Sequence, residues 1–447
     1  MQPYDLIIEG GEVYTPSGVQ PLDIGVRDGR IETLGALAST SAAERLDASG
    51  LLVLPGVIDT QVHFREPGLE HKEDLESGTR SAILGGVTAI FEMPNTKPMT
   101  TSPEALADKL QRAQGRAWCD VAFFMGASAE NASQLAEWER LPGCAGIKIF
   151  MGSSTGDLLV ESDADLLNVL RHGNRRVSVH CEDEARMRER KVIAEEGAHP
   201  RFHPIWRDDV SAVLATQRLL SLSAQTGRRV HVLHVTSKQE MDLLGTWKRL
   251  ATVEVTPQHL TFEAPDCYER LGTLAQMNPP IRSKEHQDAL WAGVHDGTVD
   301  VLGSDHAPHT LDEKAKPYPQ SPSGMTGVQT LLPVMLTHVL NGKLTLDRLV
   351  DMSSAGPARI FQIARKGRIA RGFDADFAIV DLQRSEVVKR EWIASKCGWS
   401  PYEGRLLKGW PIHTVLRGHV AVRNGELQGS PLGEAVEFVD TLPPSRG

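Results

Sequence analysis

Short apolar runs alternate with amphipathic segments through the middle of the chain, from residue 51 to residue 309. Helical patterns lie between the runs: residues 102–114 have Ser at an N-cap position and Pro at the first helical position, and residues 237–250 open with a capping-box S-x-x-E. Eight runs are short, rich in β-branched residues and bounded by turn residues, as strands are. They are LLVLPGVIDTQVH, VTAIFEMPN, CDVAFFMG, AGIKIFMG, RVSVHCED, RVHVLHVTS, VEVTPQHL and VDVLGSDHAPH. Eight strands alternating with helices predict an α/β fold of the (β/α)8 TIM-barrel type, with an open doubly wound sheet as the alternative.

The two ends of the chain carry a different pattern. Residues 1–54 and 365–430 hold short alternating segments, such as YDLIIEGGEVYT and TVLRGHVAVRNGEL, separated by Gly and Asp in turn positions. We therefore expect both termini to build one small β-sandwich domain beside a barrel of residues 55–364. Residues 431–447 are expected to form an extended C-terminal tail. Residues 310–327 are rich in Pro and Gly and predict a loop over the barrel mouth.

Bulk properties restrict the partners of the protein. The net charge of -10 and the pI near 5.9 argue against binding to nucleic acid or to an anionic membrane, although a local basic pocket can still bind a small anionic substrate. No apolar run is long enough to span a membrane. The five cysteines are scattered and form no C-x-x-C pair, so neither a disulfide framework nor a cysteine zinc site is indicated. These features together predict a cytoplasmic protein.

Residues of metal-binding type stand at the ends of several predicted strands: His63, Lys148, His180, His234 and Asp305. Catalytic residues of a (β/α)8 barrel lie at the C-terminal strand ends, so these side chains are expected to converge. Each alone has an ordinary explanation, such as a hydrogen-bonded core histidine, a snorkelling lysine or a turn-capping aspartate. Together, three imidazoles and a carboxylate are ligands that zinc prefers, and they leave room for an activated water. Lys148, if neutral, can add carbon dioxide and bridge two metal ions as a carbamate.

Seven motifs make the chain resemble the metal-dependent amidohydrolase superfamily and, within it, the dihydroorotases: DTQVHFREPG, EMPNTKP, GIKIFMGSSTG, VSVHCEDE, HVLHVTSKQE, MNPPIR and GSDHAPHT. The resemblance covers nearly the whole chain, including the split sandwich. It implies that His63 binds a first metal ion and that carboxylated Lys148 bridges to a second, which His180 and His234 hold. It also implies that Asp305 binds metal and shuttles a proton.

One position departs from the pattern of the family. The first strand of these proteins normally reads D-x-H-x-H-x-R, and here Gln61 stands where the first histidine is expected. An amide oxygen is a poorer zinc ligand than an imidazole, so Gln61 is expected to coordinate weakly or to hydrogen-bond a metal-bound water. The sequence thus predicts at least one tightly held zinc ion, with a second that is weak or absent.

The resemblance also implies a substrate. Arg65, Asn95 and His309 correspond to residues that bind the carboxylate of dihydroorotate, and Asn278 to one that contacts its ring. The implied reaction is the reversible cyclisation of N-carbamoyl-L-aspartate to L-dihydroorotate in de novo pyrimidine biosynthesis. An Arg fork suits a carboxylate. Taken singly, Arg65 could instead form a salt bridge with Glu66 or Asp74, and Asn95 could be a turn residue.

Two other functions stay open at this stage. A hydantoinase-like or allantoinase-like enzyme would open neutral cyclic amides with a similar metal site. A catalytically silent barrel would instead serve as a scaffold for a partner such as aspartate carbamoyltransferase. A homodimer is the default expectation for an enzyme of this kind.

Overall fold

The computed structural model describes residues 3–153 and 158–442. The strands in these ranges are β1 (Tyr4–Glu9), β2 (Glu12–Thr15), β3 (Gly18–Pro21), β4 (Asp23–Arg27), β5 (Arg30–Gly35), β6 (Ala42–Asp47), β7 (Leu52–Pro55), β8 (Val57–Val62), β9 (Val87–Glu92), β10 (Asp120–Gly126), β11 (Cys144–Phe150), β12 (Val177–His180), β13 (Val230–Val232), β14 (Ala251–Val255), β15 (Val301–Leu302), β16 (Phe377–Val387), β17 (Leu406–Leu416), β18 (His419–Arg423) and β19 (Glu426–Leu427).

The α-helices are α1 (Leu75–Leu84), α2 (Pro103–Ala113), α3 (Leu135–Trp138), α4 (Asp163–Arg171), α5 (Glu184–Gly197), α6 (His203–Trp206), α7 (Asp209–Thr226), α8 (Lys238–Gly245), α9 (Pro257–Thr261), α10 (Asp266–Leu271), α11 (Lys284–Asp296), α12 (Leu311–Lys314), α13 (Leu331–Leu340), α14 (Leu346–Val350) and α15 (Gly356–Ile360). None of these helices is both long and apolar enough to cross a lipid bilayer.

Strands β8 to β15 form one parallel sheet in which every strand pairs with the next in the chain. The sheet closes where Val62 bridges His306 and the backbone N–H of His63 donates to the His306 carbonyl at 2.7 Å. Residues of β8 to β14 are buried on both faces, as expected for strands enclosed by helices. The predicted (β/α)8 barrel is confirmed, and the open doubly wound sheet is excluded.

Strands from both chain ends form the second domain, as predicted. A four-stranded sheet of order β5-β4-β1-β6 lies against a seven-stranded sheet of order β19-β18-β17-β16-β7-β2-β3. The apolar faces of the two sheets meet in one core, to which Leu6, Ile24, Val53, Phe377 and Val415 contribute. The sandwich therefore depends on strands that lie more than 300 residues apart in the sequence.

The first predicted strand is in fact two strands in different domains. β7 belongs to the sandwich and β8 to the barrel, and only Gly56 separates them. A Cβ atom at Gly56 would lie 2.1 Å from the Thr88 hydroxyl oxygen, so no larger residue fits this junction. Val53 of β7 packs in the sandwich core, whereas its neighbours Leu52 and Leu54 pack in the barrel cluster. This alternation holds the two domains in direct contact.

The end of the chain lies against the barrel. Ala435 bridges Val121 at the start of β10, and Phe438 is buried, with its ring centroid 5.8 Å from that of Phe91. Phe361 also contacts Phe91, at 5.2 Å, so the three aromatic rings belong to one buried cluster. Residues 443–447 of the predicted tail lie outside the described residues.

Candidate active site

The five side chains predicted to bind metal lie together at the C-terminal end of the barrel. His180 ends β12 and Lys148 lies in β11, whereas His63, His234 and Asp305 follow their strands within a few residues. All five are buried, with at most 6% of any residue exposed. His234 and Asp305 have positive φ angles of 36° and 44°, which are uncommon for residues other than glycine. Such backbone outliers concentrate at functional sites.

His180 and His234 form the first pair of candidate ligands. His180 Nδ1 and His234 Nε2 face each other at 3.0 Å, close to the separation of roughly 3.3 Å expected for two imidazoles on one tetrahedral zinc ion. His180 Nε2 contacts the Glu182 carboxylate at 2.8 Å, which directs the Nδ1 lone pair inward. Burial lowers the pKa of both histidines, so both are in the neutral form that binds metal.

His63 and Asp305 form the second pair. His63 Nδ1 lies 2.9 Å from the Asn95 side-chain oxygen, and His63 Nε2 lies 3.3 Å from Asp305 Oδ1. Burial lowers the pKa of His63, despite the opposing effect of Asp305. A neutral His63 that donates its Nδ1 proton to Asn95 directs its Nε2 lone pair at a carboxylate oxygen. In this tautomer the two facing acceptors form a position at which a bound cation would be stabilised.

Gln61 lies beside the second pair, in the place of the absent histidine. Its Nε2 donates to Asp305 Oδ1 at 3.2 Å. Its Oε1 is buried and has no hydrogen-bond partner among the described residues. A buried acceptor without a partner is unfavourable, and a water or a weakly held cation would satisfy it. This geometry agrees with both roles that the sequence leaves to Gln61.

Lys148 carries a buried amine whose charge acts on both pairs. Within the described part of the chain, its Nζ has no hydrogen-bond partner. Burial lowers the pKa of Lys148 to about 7, so much of the amine is neutral near physiological pH. The charge of the protonated form in turn lowers the pKa of His63, His180 and His234. A neutral amine at this position has the reactivity that carbamate formation needs.

The residues present fit a metal ion only in pairs. No group of three or more His, Cys, Asp or Glu side chains in residues 3–153 and 158–442 is arranged to hold one. Each pair lacks one anionic or imidazole ligand, and carboxylation of Lys148 would supply the shared one. The unpartnered oxygen of Gln61 and the facing acceptors of the second pair support a bound cation, and the unpartnered amine of Lys148 would join them only after carboxylation. The assignment of these ligands stays a prediction.

A basic corner adjoins His63. Arg65 is only 3% exposed, with Nε donating to the Pro308 carbonyl and Nη2 next to His309 Nε2, both at 3.2 Å. No acidic side chain in the described ranges lies within ion-pair distance of Arg65. Burial, with a contribution from Arg65, lowers the pKa of His309 to about 3, so this ring is neutral at physiological pH. The corner therefore carries a buried guanidinium without a direct ion-pair partner in these ranges, and the carboxylates that stabilise its charge, Asp305, Glu92 and Glu313, act from a greater distance.

The alternative partners of Arg65 are engaged elsewhere. Glu66 pairs with Arg116 at 2.7 Å, and Asp74 caps α1 and pairs with Lys396 at 2.8 Å. The suggestion that Arg65 forms a salt bridge with either carboxylate is wrong, because both carboxylates pair with other cations and Arg65 donates to the Pro308 carbonyl. Its side chain thus stays available to a ligand.

Asn278 joins this corner through other side chains. Its Oδ1 lies 2.9 Å from His203 Nε2, and the same nitrogen lies 3.4 Å from the Ser323 hydroxyl. The Ser323 carbonyl contacts His309 Nε2 at 3.0 Å. Arg65, His309 and Asn278 thus belong to one connected polar wall along the edge of the predicted loop over the mouth, whereas Asn95 contacts His63.

Three residues of the site were missed by sequence reasoning. Glu182 orients His180 and is itself held by Arg207, which with His180 keeps the pKa of Glu182 well below its ordinary value despite burial. Lys72 donates to His309 Nδ1 at 3.0 Å, and His203 supports Asn278. Glu182 could have been found, because it follows His180 by two residues. Lys72 and His203 lie in sequence segments that contain no motif indicating a functional role.

Known proteins are similar to this chain along almost its full length. The Amidohydrolase family model matches residues 52–421. A dihydroorotase of Methanosarcina mazei is 33% identical over 441 residues, which are 96% of each chain. An allantoinase of Rubrobacter xylanophilus is 34% identical over 448 residues, covering 98% of each chain. The structure of an L-hydantoinase (dihydropyrimidinase) from Arthrobacter aurescens superposes with a TM-score of 0.92 at 30% identity, covering 97% of this chain and 99% of that one.

Proposed function

Because this chain belongs to the amidohydrolase family, we propose that it is a dihydroorotase that interconverts L-dihydroorotate and N-carbamoyl-L-aspartate. Its relatives support a cyclic amidohydrolase, since dihydroorotases, an allantoinase and hydantoinases are all similar to it. Their names do not separate an acidic substrate from a neutral one. That choice rests on the site.

The buried charge of Arg65 carries the proposal. Its guanidinium is 3% exposed and makes no direct ion pair among the described residues, so the distant carboxylates Asp305, Glu92 and Glu313 compensate its charge incompletely, and a ligand carboxylate would supply the direct contact. Dihydroorotate differs from the neutral cyclic ureides by its carboxylate, which a guanidinium group can bind through two parallel hydrogen bonds. His309 lies beside the same guanidinium, and Asn95 contacts the neighbouring His63. An acidic substrate thus explains a feature that hydantoin or allantoin would leave uncompensated.

The proposed reaction assigns a separate task to each side chain. Arg65 and His309 bind the substrate carboxylate and orient the ring. In ring opening, Asp305 accepts a proton from the attacking water and delivers it to the ring nitrogen as the amide C–N bond breaks. The carbonyl carbon becomes a carboxylic acid, which releases its proton to solvent as it ionises, and the nitrogen becomes the terminal ureido nitrogen, so the atoms balance. In closure, the same steps run in reverse.

Members of this superfamily generally depend on a metal ion. The candidate ligands His63, His180, His234 and Asp305, with carboxylated Lys148, have the nitrogen and oxygen chemistry of a zinc site. A bound zinc ion would supply Lewis acidity at the ring carbonyl and activation of water. One or two ions are consistent with Gln61. A cytoplasmic homodimer, with or without an associated aspartate carbamoyltransferase, completes the proposal.

The first test is turnover of L-dihydroorotate by purified, zinc-supplemented protein. We expect release of N-carbamoyl-L-aspartate that is lost in Asp305→Ala and retained in Asp108→Ala, a matched change at an exposed carboxylate of α2. The Asp305 variant excludes a contaminating enzyme. Absence of turnover by folded, zinc-loaded wild-type protein would contradict the proposal.

An allantoinase-like or hydantoinase-like activity is the second candidate, since the Rubrobacter relative is as similar in sequence as the dihydroorotases are. Faster turnover of allantoin or dihydrouracil than of dihydroorotate would favour it. A catalytically silent scaffold would show no turnover of any of these rings.

A further inference from the structure

A basic cavity lies at the end of the barrel opposite the candidate site. Its volume is about 170 Å³, and four arginines line it: Arg140, Arg175, Arg176 and Arg229. Arg175 and Arg176 immediately precede β12, and Arg229 immediately precedes β13. Because parallel strands begin at the same barrel end, these guanidinium groups stand far from the strand ends that carry His63 and Lys148. The cavity is therefore a separate feature of the molecule.

The positive charge of the cavity is mostly uncompensated. Of the described residues, Asp440 is the only carboxylate that lines it, and both oxygens of Asp440 are engaged by Arg175, at 2.6 and 2.9 Å. Within the described part of the chain, neither Arg140, Arg176 nor Arg229 has a carboxylate at ion-pair distance. Three arginine charges therefore remain without an ion pair in this part of the chain. They form a local cationic cluster on a protein whose net charge is -10.

Arg176 adds an unpaired donor to this cluster. Its Nη1 donates to the carbonyls of Val230 and Leu250, at 3.0 and 3.2 Å. Its Nε is buried and has no partner among the described residues. Burial, with repulsion from Arg229, lowers the pKa of Arg176 to about 10, so the group stays cationic at physiological pH. An acceptor anion would satisfy the orphaned N–H and relieve the repulsion between the arginines.

We propose that this cavity binds a small phosphate-type oxyanion, either free phosphate or the phosphoryl end of a larger molecule. Guanidinium groups match phosphate oxygens in geometry and charge, and a doubly charged anion neutralises most of the excess. The volume is below the 300–1,000 Å³ typical of sites for drug-sized ligands, so it suits an anionic head group alone. This inference does not depend on the proposed reaction.

The test measures phosphate binding by isothermal titration calorimetry and by the shift in thermal unfolding. The proteins are the wild type, Arg229→Gln, Arg140→Gln and the matched control Arg249→Gln. Arg249 is also exposed and precedes β14 at the same barrel end, but it does not line the cavity. We expect the two cavity variants to bind phosphate about tenfold more weakly or worse, because each loses a charge-assisted contact, and the control to bind as the wild type does.

Phenyl phosphate, acetate and succinate serve as competing probes. If phenyl phosphate binds as tightly as inorganic phosphate, the cavity accepts the phosphoryl end of a larger molecule. If the inorganic ion binds more tightly, the ligand is free phosphate. Both results support the site. Three results would overturn it: no binding of phosphate at millimolar concentration, equal binding by all four proteins, or tighter binding of the carboxylates than of phosphate that the two cavity variants weaken.

Discussion

Replacing Arg65 by Gln should separate recognition of the substrate carboxylate from the chemistry of ring opening. Nε of Arg65 donates to the Pro308 carbonyl, whereas Nη2 only lies beside the protonated Nε2 of His309, which leaves Nη1 and Nη2 to donate to a ligand. Gln keeps a donor for the Pro308 carbonyl and much of the side-chain volume. The change therefore removes the positive charge and the Nη donors that face the ligand, with little disturbance of packing.

The expected size of the effect follows from the two hydrogen bonds that Arg65 would donate to the substrate carboxylate. A hydrogen bond between charged groups contributes about 1.5–3 kcal/mol, so the loss of two amounts to ~3–6 kcal/mol. At about 1.4 kcal/mol per factor of ten, kcat/KM for L-dihydroorotate should fall by roughly 10²–10⁴-fold. Turnover of a neutral ring such as dihydrouracil should change by less than about threefold, since that substrate has no carboxylate to lose.

The assay compares kcat/KM for the two substrates in the wild type, in Arg65→Gln and in Arg116→Gln. Arg116 is a control because it pairs with Glu66, the residue next to Arg65, yet does not reach the site. Metal content is measured for each protein to exclude loss of the ion. Equal losses for the acidic and the neutral substrate would refute the reasoning, because Arg65 would then support the fold of the site and not the binding of a carboxylate.

Three further predictions concern other parts of the barrel. Gln61→His should bind zinc at least about tenfold more tightly in equilibrium dialysis, since an imidazole is the better ligand; unchanged metal content would show that Gln61 is remote from the ion. Burial raises the pKa of Glu254 to about 8, so between pH ~4 and 8 the folded protein holds a proton that the unfolded chain has lost, and stability falls as pH rises. In metal-free protein, the free energy of unfolding in urea should therefore rise for Glu254→Gln relative to the wild type from pH 5 to pH 8. A difference that stays constant over this range would contradict the assignment. The buried amine of Lys314 donates to three carbonyls, so Lys314→Met should speed amide hydrogen exchange in residues 310–327 by about tenfold or more while the barrel strands stay protected; equal exchange across the chain would argue against this role.

Sequence reasoning succeeded where one rule of topology sufficed. Parallel barrel strands bring their C-terminal ends together, so finding His180, His234 and Asp305 at the ends of apolar runs was enough to predict that they meet. The same rule failed at the run LLVLPGVIDTQVH, because the pattern of apolar residues does not show that Gly56 divides it between two sheets. Only the close approach of Thr88 makes that glycine necessary.

The surroundings of the site were beyond the sequence for a different reason. Lys72 and His203 approach the predicted substrate residues from loops and a short helix, whose positions no periodic pattern fixes. The ion pairs of Glu66 and Asp74 likewise depend on Arg116 and Lys396, the second of which lies 322 residues away from its partner. Side-chain pairs between residues far apart in the sequence follow from the fold, so they cannot be predicted from the sequence before the fold is known.

The composite sandwich has a consequence for how the protein is made. β7 leaves the ribosome early, but its antiparallel neighbour β16 begins at residue 377, roughly 300 residues later. At a synthesis rate of ~5–20 residues per second, the N-terminal strands wait about 15–60 s for the partner that completes their sheet. During that interval the apolar face of Leu6, Ile24 and Val53 lacks its cover. The nascent chain should therefore need a holding chaperone, and fast translation should improve the yield of folded protein.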